Sequence, residues 1–134
     1  MNKNEIEKII PYRDPFLMLD EVEIDEEGKS GRGYKKLTGD EYYFEGHFPD
    51  RPVMPGVLII ESITQTSMVI LKKDRVALKK VNKMKFRRTI EPGDKLEIKV
   101  NLTDEKDGMY RFSGEVNVNG SIAASGEITL GKSA

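Results

Sequence analysis

One stretch of the chain, residues 56–72, predicts a long helix and limits the folds available to everything around it. Pro55 and Gly56 mark its start, and roughly 16 residues would extend about 24 Å. Its first turn, from Val57 to Ile60, is apolar on all sides, which is typical of a buried helix. Because β-branched residues are frequent in it, burial must supply the stability that helix propensity does not.

The segments around this helix predict one antiparallel sheet. Apolar and polar residues alternate after the helix, and Asn119-Gly120 is a strong signal for a two-residue hairpin turn. The predicted elements are a short helix over 3–10, strands over 15–25 and 31–38, a long loop over 39–56, strands over 83–90, 95–103, 109–118 and 121–130, and turns at 91–94 and 104–108. One long helix covered by one sheet is an α+β arrangement, and we expect a single domain over residues 1–134.

Composition predicts a lean core and excludes several kinds of protein. Only 37% of the 134 residues are hydrophobic and 34% are charged, so a thin layered fold, or one that buries its remaining apolar surface against a second copy, is expected. A net charge of −1 suggests neither nucleic acid nor membrane as a partner. The absence of cysteine excludes disulfides and thiolate metal sites.

The sequence also predicts where in the cell the protein is found. The first ten residues contain no apolar stretch of signal-peptide length. Apolar runs such as residues 57–60 are far too short to cross a bilayer. We therefore expect a soluble protein in the cytoplasm.

Glu61 is a carboxylate inside the apolar helix. An ionised carboxylate buried there costs several kcal/mol unless it is paired, and residues 57–71 contain no Lys or Arg. Either Glu61 reaches a polar cavity, or its pKa is raised and it exists partly as the neutral acid, which suits a general acid. Gln65, four residues later on the same helical face, is positioned to orient it. The alternative is that this end of the helix is half exposed and Glu61 is simply solvated.

His47 is the only histidine, and it is the one side chain with an ordinary pKa suited to a base at neutral pH. It lies between Gly46 and Phe48-Pro49, where the backbone is restricted. A lone histidine is more often structural than catalytic. A metal site is a poor fit because one histidine without cysteine is a thin ligand set. A Ser-His-Asp arrangement stays open, although no nucleophile-elbow motif accompanies the histidine.

Gly56 adds a third component, because the first N–H groups of a helix lack intrahelical partners and carry partial positive charge. A glycine there lets a ligand oxygen approach, which makes it a plausible oxyanion site. The alternative is a simple turn glycine, which is common. Together, a base, an acid and such an oxyanion site fit removal of a proton α to a carbonyl with loss of a β-hydroxyl.

The segment around these residues reads GHFPDRPVMPGVLIIESITQ (residues 46–65). It closely resembles the signature of the 3-hydroxyacyl-[acyl carrier protein] dehydratases of bacterial fatty-acid synthesis, the FabZ type. Two further segments are similar to the same family: IPYRDPFLMLDEV (residues 10–22) and VNKMKFRRTIEPGDKLEI (residues 81–98). The resemblance implies the hot-dog fold, no cofactor or metal, and homodimers, often assembled as trimers of dimers, with each active site built across the dimer interface.

The resemblance also implies a role for individual residues. His47 falls on the family's catalytic histidine, and Glu61 falls on its catalytic carboxylate, contributed by the partner subunit. Gly56 falls on the glycine whose N–H binds the thioester carbonyl, and Gln65 on the glutamine that contacts the carboxylate. A related branch that also isomerises the double bond has aspartate at the carboxylate position, so glutamate favours dehydration alone.

Other residues are predicted to bind the acyl chain and its carrier. Phe48, Val57 and Ile60 are expected to line a tunnel between subunits. Residues 72–88 contain nine Lys or Arg and one acid, so they are suited to docking the acidic acyl carrier protein, with Lys85, Arg87 and Arg88 as the chosen contacts. The alternative is a solvated segment whose lysines protect an edge strand from aggregation.

The sequence departs from the family pattern at several positions. Tyr12 and Asp14 stand where the family usually has His and Tyr, and Asp50 replaces a usual glycine. Polar residues replace the usual Ala and Gly after the carboxylate: Ser62, Thr64, Thr66 and Ser67. These departures motivate one rival hypothesis, a non-catalytic carrier-binding module. Thioester hydrolysis, known in other hot-dog branches, is a second rival. The retained His, Glu, Gly and Gln argue against a binding module.

Overall fold

The computed structural model describes residues 1–44 and 52–133, in which one long helix lies across a six-stranded antiparallel sheet. The elements are α1 (Lys3–Glu7), β1 (Glu21–Glu26), β2 (Ser30–Lys36), a 3-10 turn (Tyr42–Phe44), α2 (Gly56–Leu71), β3 (Val76–Phe86), β4 (Lys95–Lys106), β5 (Met109–Val118) and β6 (Ser121–Lys132). The predicted α+β class, with its central helix and sheet, is confirmed. Among these elements, no helix is long and apolar enough to cross a membrane.

The strands lie in the order β1-β2-β4-β5-β6-β3, and every neighbouring pair is antiparallel. The hairpin turns between β4 and β5 and between β5 and β6 are Asp107-Gly108 and Asn119-Gly120. All four residues have positive φ, as a two-residue turn between twisted strands requires. The predicted Asn119-Gly120 hairpin is therefore found. β3 follows the helix and pairs with the last strand, β6, at the edge of the sheet.

Helix α2 packs mainly on β2, β4 and β5 and buries polar as well as apolar side chains. The hydroxyl of Thr66 donates to the carbonyl of Ser62 at 2.8 Å, and that of Ser67 donates to the carbonyl of Ile63 at 2.8 Å. Each buried hydroxyl is thus satisfied within the helix itself. This is how these polar residues fit into the core.

Two sheet glycines let the helix approach the sheet closely. A Cβ on Gly33 would lie 2.6 Å from Thr66 Oγ1, and one on Gly114 would lie 2.5 Å from Ile63 Cγ2. Both separations are too short for real atoms, so a side chain at either position would push α2 outward. The position of α2, and of the site it carries, depends on these bare strand positions.

The prediction of a strand over residues 15–25 is wrong in its first half, because β1 begins at Glu21. Leu17 and Leu19 are fully buried, but the N–H of Met18 donates to the side chain of Gln65 on α2. The apolar run therefore enters the core beneath the helix and does not belong to the sheet. An apolar run in the sequence indicates burial, but it does not show whether the run lies in a strand or packs in the core outside the sheet.

Other predicted boundaries also shift. β3 begins at Val76, seven residues before the predicted start at residue 83, so most of the basic segment belongs to the strand. β4 continues to Lys106, which shortens the predicted turn over 104–108. α1 ends at Glu7 and not at residue 10, and the N–H groups of Ile9 and Ile10 both donate to the carbonyl of Ile6 in the turn that follows.

The first turn of α2 was predicted to be buried on all sides, and in the single chain this prediction is wrong. Val57 is 71% exposed, and Leu58 and Ile60 are only half-buried. Apart from Ile59, the fully buried part of the helix begins at Ser62. The first turn borders a cleft rather than the sheet.

Candidate active site

A cleft of about 590 Å³ lies beside the first two turns of α2. One wall is the helix and the other is the segment that precedes β1, together with the 3-10 turn. The lining residues are Pro11, Tyr12, Arg13, Phe16, Met18, Tyr42, Val57, Leu58, Glu61 and Gln65. The structure thus places three of the predicted residues, Val57, Glu61 and Gln65, in one cavity.

Glu61 is half-buried in this cleft. Burial, which penalises the charged form, raises the pKa of Glu61, and the hydrogen bond from Gln65 acts in the opposite direction. The direction is the one predicted for a carboxyl inside an apolar helix without a cationic partner. Such a carboxyl holds its proton to higher pH than a solvated glutamate, as a general acid requires.

Gln65 orients Glu61 and joins it to the opposite wall. Its side-chain nitrogen donates to Glu61 Oε1 at 3.1 Å and to the carbonyl of Phe16 at 2.9 Å. Its side-chain oxygen accepts from the N–H of Met18 at 2.8 Å. Because the partners at both ends of this fully buried amide are fixed, its orientation is fixed too. The predicted contact between Gln65 and the carboxyl is present.

Gly56 is the first residue of α2, and the N-cap Pro55 supplies no side-chain hydrogen bond. The carbonyl of Pro55 accepts from Leu58 and Ile59, at 3.0 and 3.2 Å. Within residues 1–44 and 52–133, no acceptor is seen for the N–H of Gly56. The ring of Phe86 lies against this glycine, where a Cβ would be 3.1 Å from it. Among the described residues, the helix end therefore presents an N–H donor without a partner beside an aromatic wall.

The other predicted substrate contacts divide into three cases. Val57 lines the cleft, whereas Ile60 is not among the residues that line it. Leu58 occupies the lining position instead. His47 and Phe48 lie outside the described residues.

Sequence reasoning gave no role to the aromatic residues on the opposite wall. Phe16 is 61% exposed, and its ring meets that of Tyr42 edge-on at 6.1 Å between centroids. Tyr12 lies beside them. For Tyr12 and Phe16, the available signal was their position in the N-terminal segment that resembles the dehydratase family.

The three predicted docking residues lie at the end of β3 and just after it, and all are exposed. Lys85 and Arg87 line a groove of about 520 Å³ on the sheet face away from α2. Arg88 lies apart from it, with Nη2 3.8 Å from Asp94 Oδ2. In the described part of the chain, no three His, Cys, Asp or Glu side chains are placed to hold a metal ion.

Replacing Gln65 with leucine will reduce both stability and activity. The N–H of Met18 would be left unpaired in the core, which costs about 1–3 kcal/mol, and Glu61 would lose its orienting donor. Urea denaturation measures the first effect and steady-state turnover the second. Thr66→Val is the matched control, because the carbonyl that its hydroxyl contacts belongs to the helix ladder. Equal stability of the two variants would contradict the expectation.

The chain was compared with known families and proteins. The FabA-like domain family matches residues 10–127. A 3-hydroxyacyl-[acyl-carrier-protein] dehydratase FabZ from Clostridium botulinum (strain Hall) is 47% identical over 131 residues, which covers 93% of this chain and 91% of that protein. The FabZ protein of Bacillus velezensis is 38% identical, over 97% of this chain and 96% of that protein.

Solved structures agree on the fold. The dehydratase heterocomplex ApeI:P from Xenorhabdus doucetiae aligns with a TM-score of 0.81 over 96% of this chain and 91% of that chain, at 16% identity. The family match over most of the chain and the two FabZ relatives lead to one assignment. The chain belongs to the FabA-like family and, within it, to the FabZ-type 3-hydroxyacyl-[acyl-carrier-protein] dehydratases, which are hydro-lyases.

Proposed function

We propose that this protein removes water from a 3-hydroxyacyl chain carried as a thioester on acyl carrier protein, with His47 as the base and Glu61 as the acid. The observation that carries the proposal is the state of Glu61. Its carboxyl lies in a largely apolar cleft, its pKa is raised by burial, and its direction is set by Gln65. A carboxyl that holds its proton to higher pH than a solvated glutamate, and that faces a cleft, is suited to donate a proton to a leaving group.

The reaction needs two proton transfers. His47 removes a proton from the carbon next to the thioester carbonyl, and the electron pair of that C–H bond becomes the second bond of the new double bond. The C–O bond at the β-carbon breaks, and Glu61 donates its proton to the departing hydroxyl, which leaves as water. Charge that develops on the thioester oxygen is stabilised by the N–H of Gly56 at the positive end of α2.

The walls of the cleft suit an acyl chain. Val57 and Leu58 line it from the helix, and Phe16 and Tyr42 line it from the opposite side. Burial of apolar chain against such side chains stabilises binding by about 25 cal/mol for each Å² removed from water. Phe48 and Ile60 remain predicted contacts of the complete site.

The edge strand β3 supports a homodimer. Its eleven residues pair with β6 on one side only within the described chain, and Leu78, Val81 and Phe86 are exposed on it. An unpaired edge of this length is a template for strand pairing with a second chain. Pairing there, with coverage of the exposed Val57, would complete each site with groups from both copies. Assembly into a trimer of dimers is part of the same proposal.

The carrier protein is proposed to dock on the basic residues at the end of β3. Lys85 and Arg87 are exposed on the outer sheet face, while Phe86 between them contacts Gly56 on the inner side. A carrier bound to Lys85, Arg87 and Arg88 would thus be close to the helix end that receives the thioester. We place this single-domain enzyme in the cytoplasm, in fatty-acid synthesis.

Mass spectrometry of carrier-bound chains tests the function. Purified protein is incubated with 3-hydroxyacyl chains of several lengths on acyl carrier protein, and we expect loss of 18 Da with the thioester intact. Release of free carrier thiol without an enoyl product would indicate thioester hydrolysis instead. Carrier binding without turnover at any length would indicate a binding module.

A further inference from the structure

Tyr12 lines the same cleft as Glu61, and the proposed reaction assigns it no part. Its ring is half-buried and packs against the hydrophobic core. Leu58 and Glu61 line the cleft from α2, and Tyr12 lines it from the N-terminal segment. The ring therefore occupies space from which water would otherwise reach the carboxyl.

The backbone on both sides of Tyr12 is fixed. The Arg13 guanidinium donates to the carbonyls of Glu7, Ile10 and Tyr12 at 2.9 to 3.0 Å. A few residues on, the amide of Gln65 binds the carbonyl of Phe16 and the N–H of Met18. A segment tied by these bonds holds an aromatic ring in one place more firmly than a free surface loop would.

Tyr12 and Glu61 lie near each other in the lining of the same cleft. The pKa of the Tyr12 phenol is raised, first by burial and then by the negative charge of Glu61. No hydrogen bond joins the two groups in the described structure. Arg13 and Tyr42 also line the cleft, but burial is the main cause that raises the pKa of Glu61. The effect of Tyr12 on the carboxyl must then come from the bulk of its ring.

We propose that Tyr12 is a positioning residue for the dehydration: its ring keeps water away from the Glu61 carboxyl, so that the carboxyl holds its proton until the hydroxyl departs. The inference rests on the proposed function only for its catalytic consequence. The protonation of Glu61 can be measured without any turnover.

Carbon-13 NMR of protein labelled at the glutamate carboxyl carbons tests the proposal directly. The Glu61 signal is assigned by its loss in Glu61→Gln. We expect Tyr12→Ala to move the titration midpoint of Glu61 to lower pH, because water then reaches the carboxyl, and Tyr12→Phe to leave it unchanged. Tyr110→Ala is the control, since Tyr110 lies near Lys73, beyond the other end of α2.

Activity gives a second readout. Because the acid must be protonated to act, lowering its pKa reduces the rate at alkaline pH, so kcat/KM of Tyr12→Ala should be lower than that of the wild type on the alkaline side of the pH profile. The decrease in kcat/KM of Tyr12→Ala should be smaller than the roughly 10²–10⁴-fold decrease that removal of a general acid causes. Tyr12→Val leaves a smaller gap in the wall, so it should change both the NMR midpoint of Glu61 and the pH profile of kcat/KM less than Tyr12→Ala does. It replaces the alanine variant if that variant does not fold.

Two results would overturn the proposal. One is an unchanged Glu61 midpoint in both the folded alanine and valine variants. The other is a shift in Tyr12→Phe as large as that in Tyr12→Ala, which would assign the effect to the hydroxyl and not to the ring. If the midpoint moves as expected but no variant, nor the wild type, dehydrates any substrate, this inference stands and the proposed function fails.

Discussion

Replacing Glu61 with glutamine will lower kcat for dehydration by roughly 10²–10⁴-fold, the contribution expected of a general acid. The amide has nearly the same shape, and its carbonyl oxygen can still accept from Gln65, so the cleft should keep its geometry. What it lacks is a proton to give to the departing hydroxyl. Steady-state kinetics on a 3-hydroxyacyl-carrier substrate measures the loss, with Glu105→Gln on the exposed β4–β5 hairpin as the matched control.

The same substitution should not destabilise the fold. A carboxyl whose pKa is higher in the folded than in the unfolded state opposes folding once pH rises above the unfolded value. Wild-type stability should therefore increase as pH falls through the folded pKa, and Glu61→Gln should lose that dependence. At neutral pH, the variant is expected to unfold at a urea concentration no lower than the wild type. Near-wild-type turnover in this variant would remove Glu61 from the reaction.

Replacing His47 with alanine should cause a loss of similar size, because no other histidine in the chain can act as the base. The loss should be in kcat more than in KM, since the imidazole acts on the reacting proton. Added imidazole should restore part of the rate by occupying the vacated space, whereas a cation of similar size without a basic nitrogen should not. Full activity in His47→Ala would reject the assignment.

Mixing the two inactive variants tests whether each site uses both copies. A dimer with one His47→Ala chain and one Glu61→Gln chain would contain one site with both defects and one site with neither. Random exchange of subunits would then recover about a quarter of wild-type activity. No recovery after verified exchange would place both groups in the same chain.

The order of helices and strands could be predicted from the sequence because each element is indicated by a local pattern of residues. The alternation after Lys95, the Asn119-Gly120 turn and the apolar run after Pro55 each predict their element without reference to distant residues. The failures involve long-range contacts. Residues 15–19 look like a strand because they are apolar, but the N–H of Met18 and the carbonyl of Phe16 bond to the side chain of Gln65, which is 47 residues from Met18.

The site was predicted in part for the same reason. Glu61 and Gln65 are four residues apart on one helix, so their contact follows from helical spacing. The opposite wall could not be derived in this way, since Tyr12 and Phe16 reach Glu61 only through tertiary packing. The exposure of Val57 was missed because an apolar first turn indicates burial without saying which surface provides it.

The bonds made by Gln65 have a consequence for how this enzyme can diverge. The Gln65 amide binds both the Glu61 carboxyl and the backbone of the facing wall. The direction of the carboxyl and the width of the cleft therefore cannot change independently. Substitutions near Phe16 that shift the wall would also rotate the Glu61 carboxyl, the proposed proton donor. Substrate preference and catalytic rate should therefore evolve together in this protein.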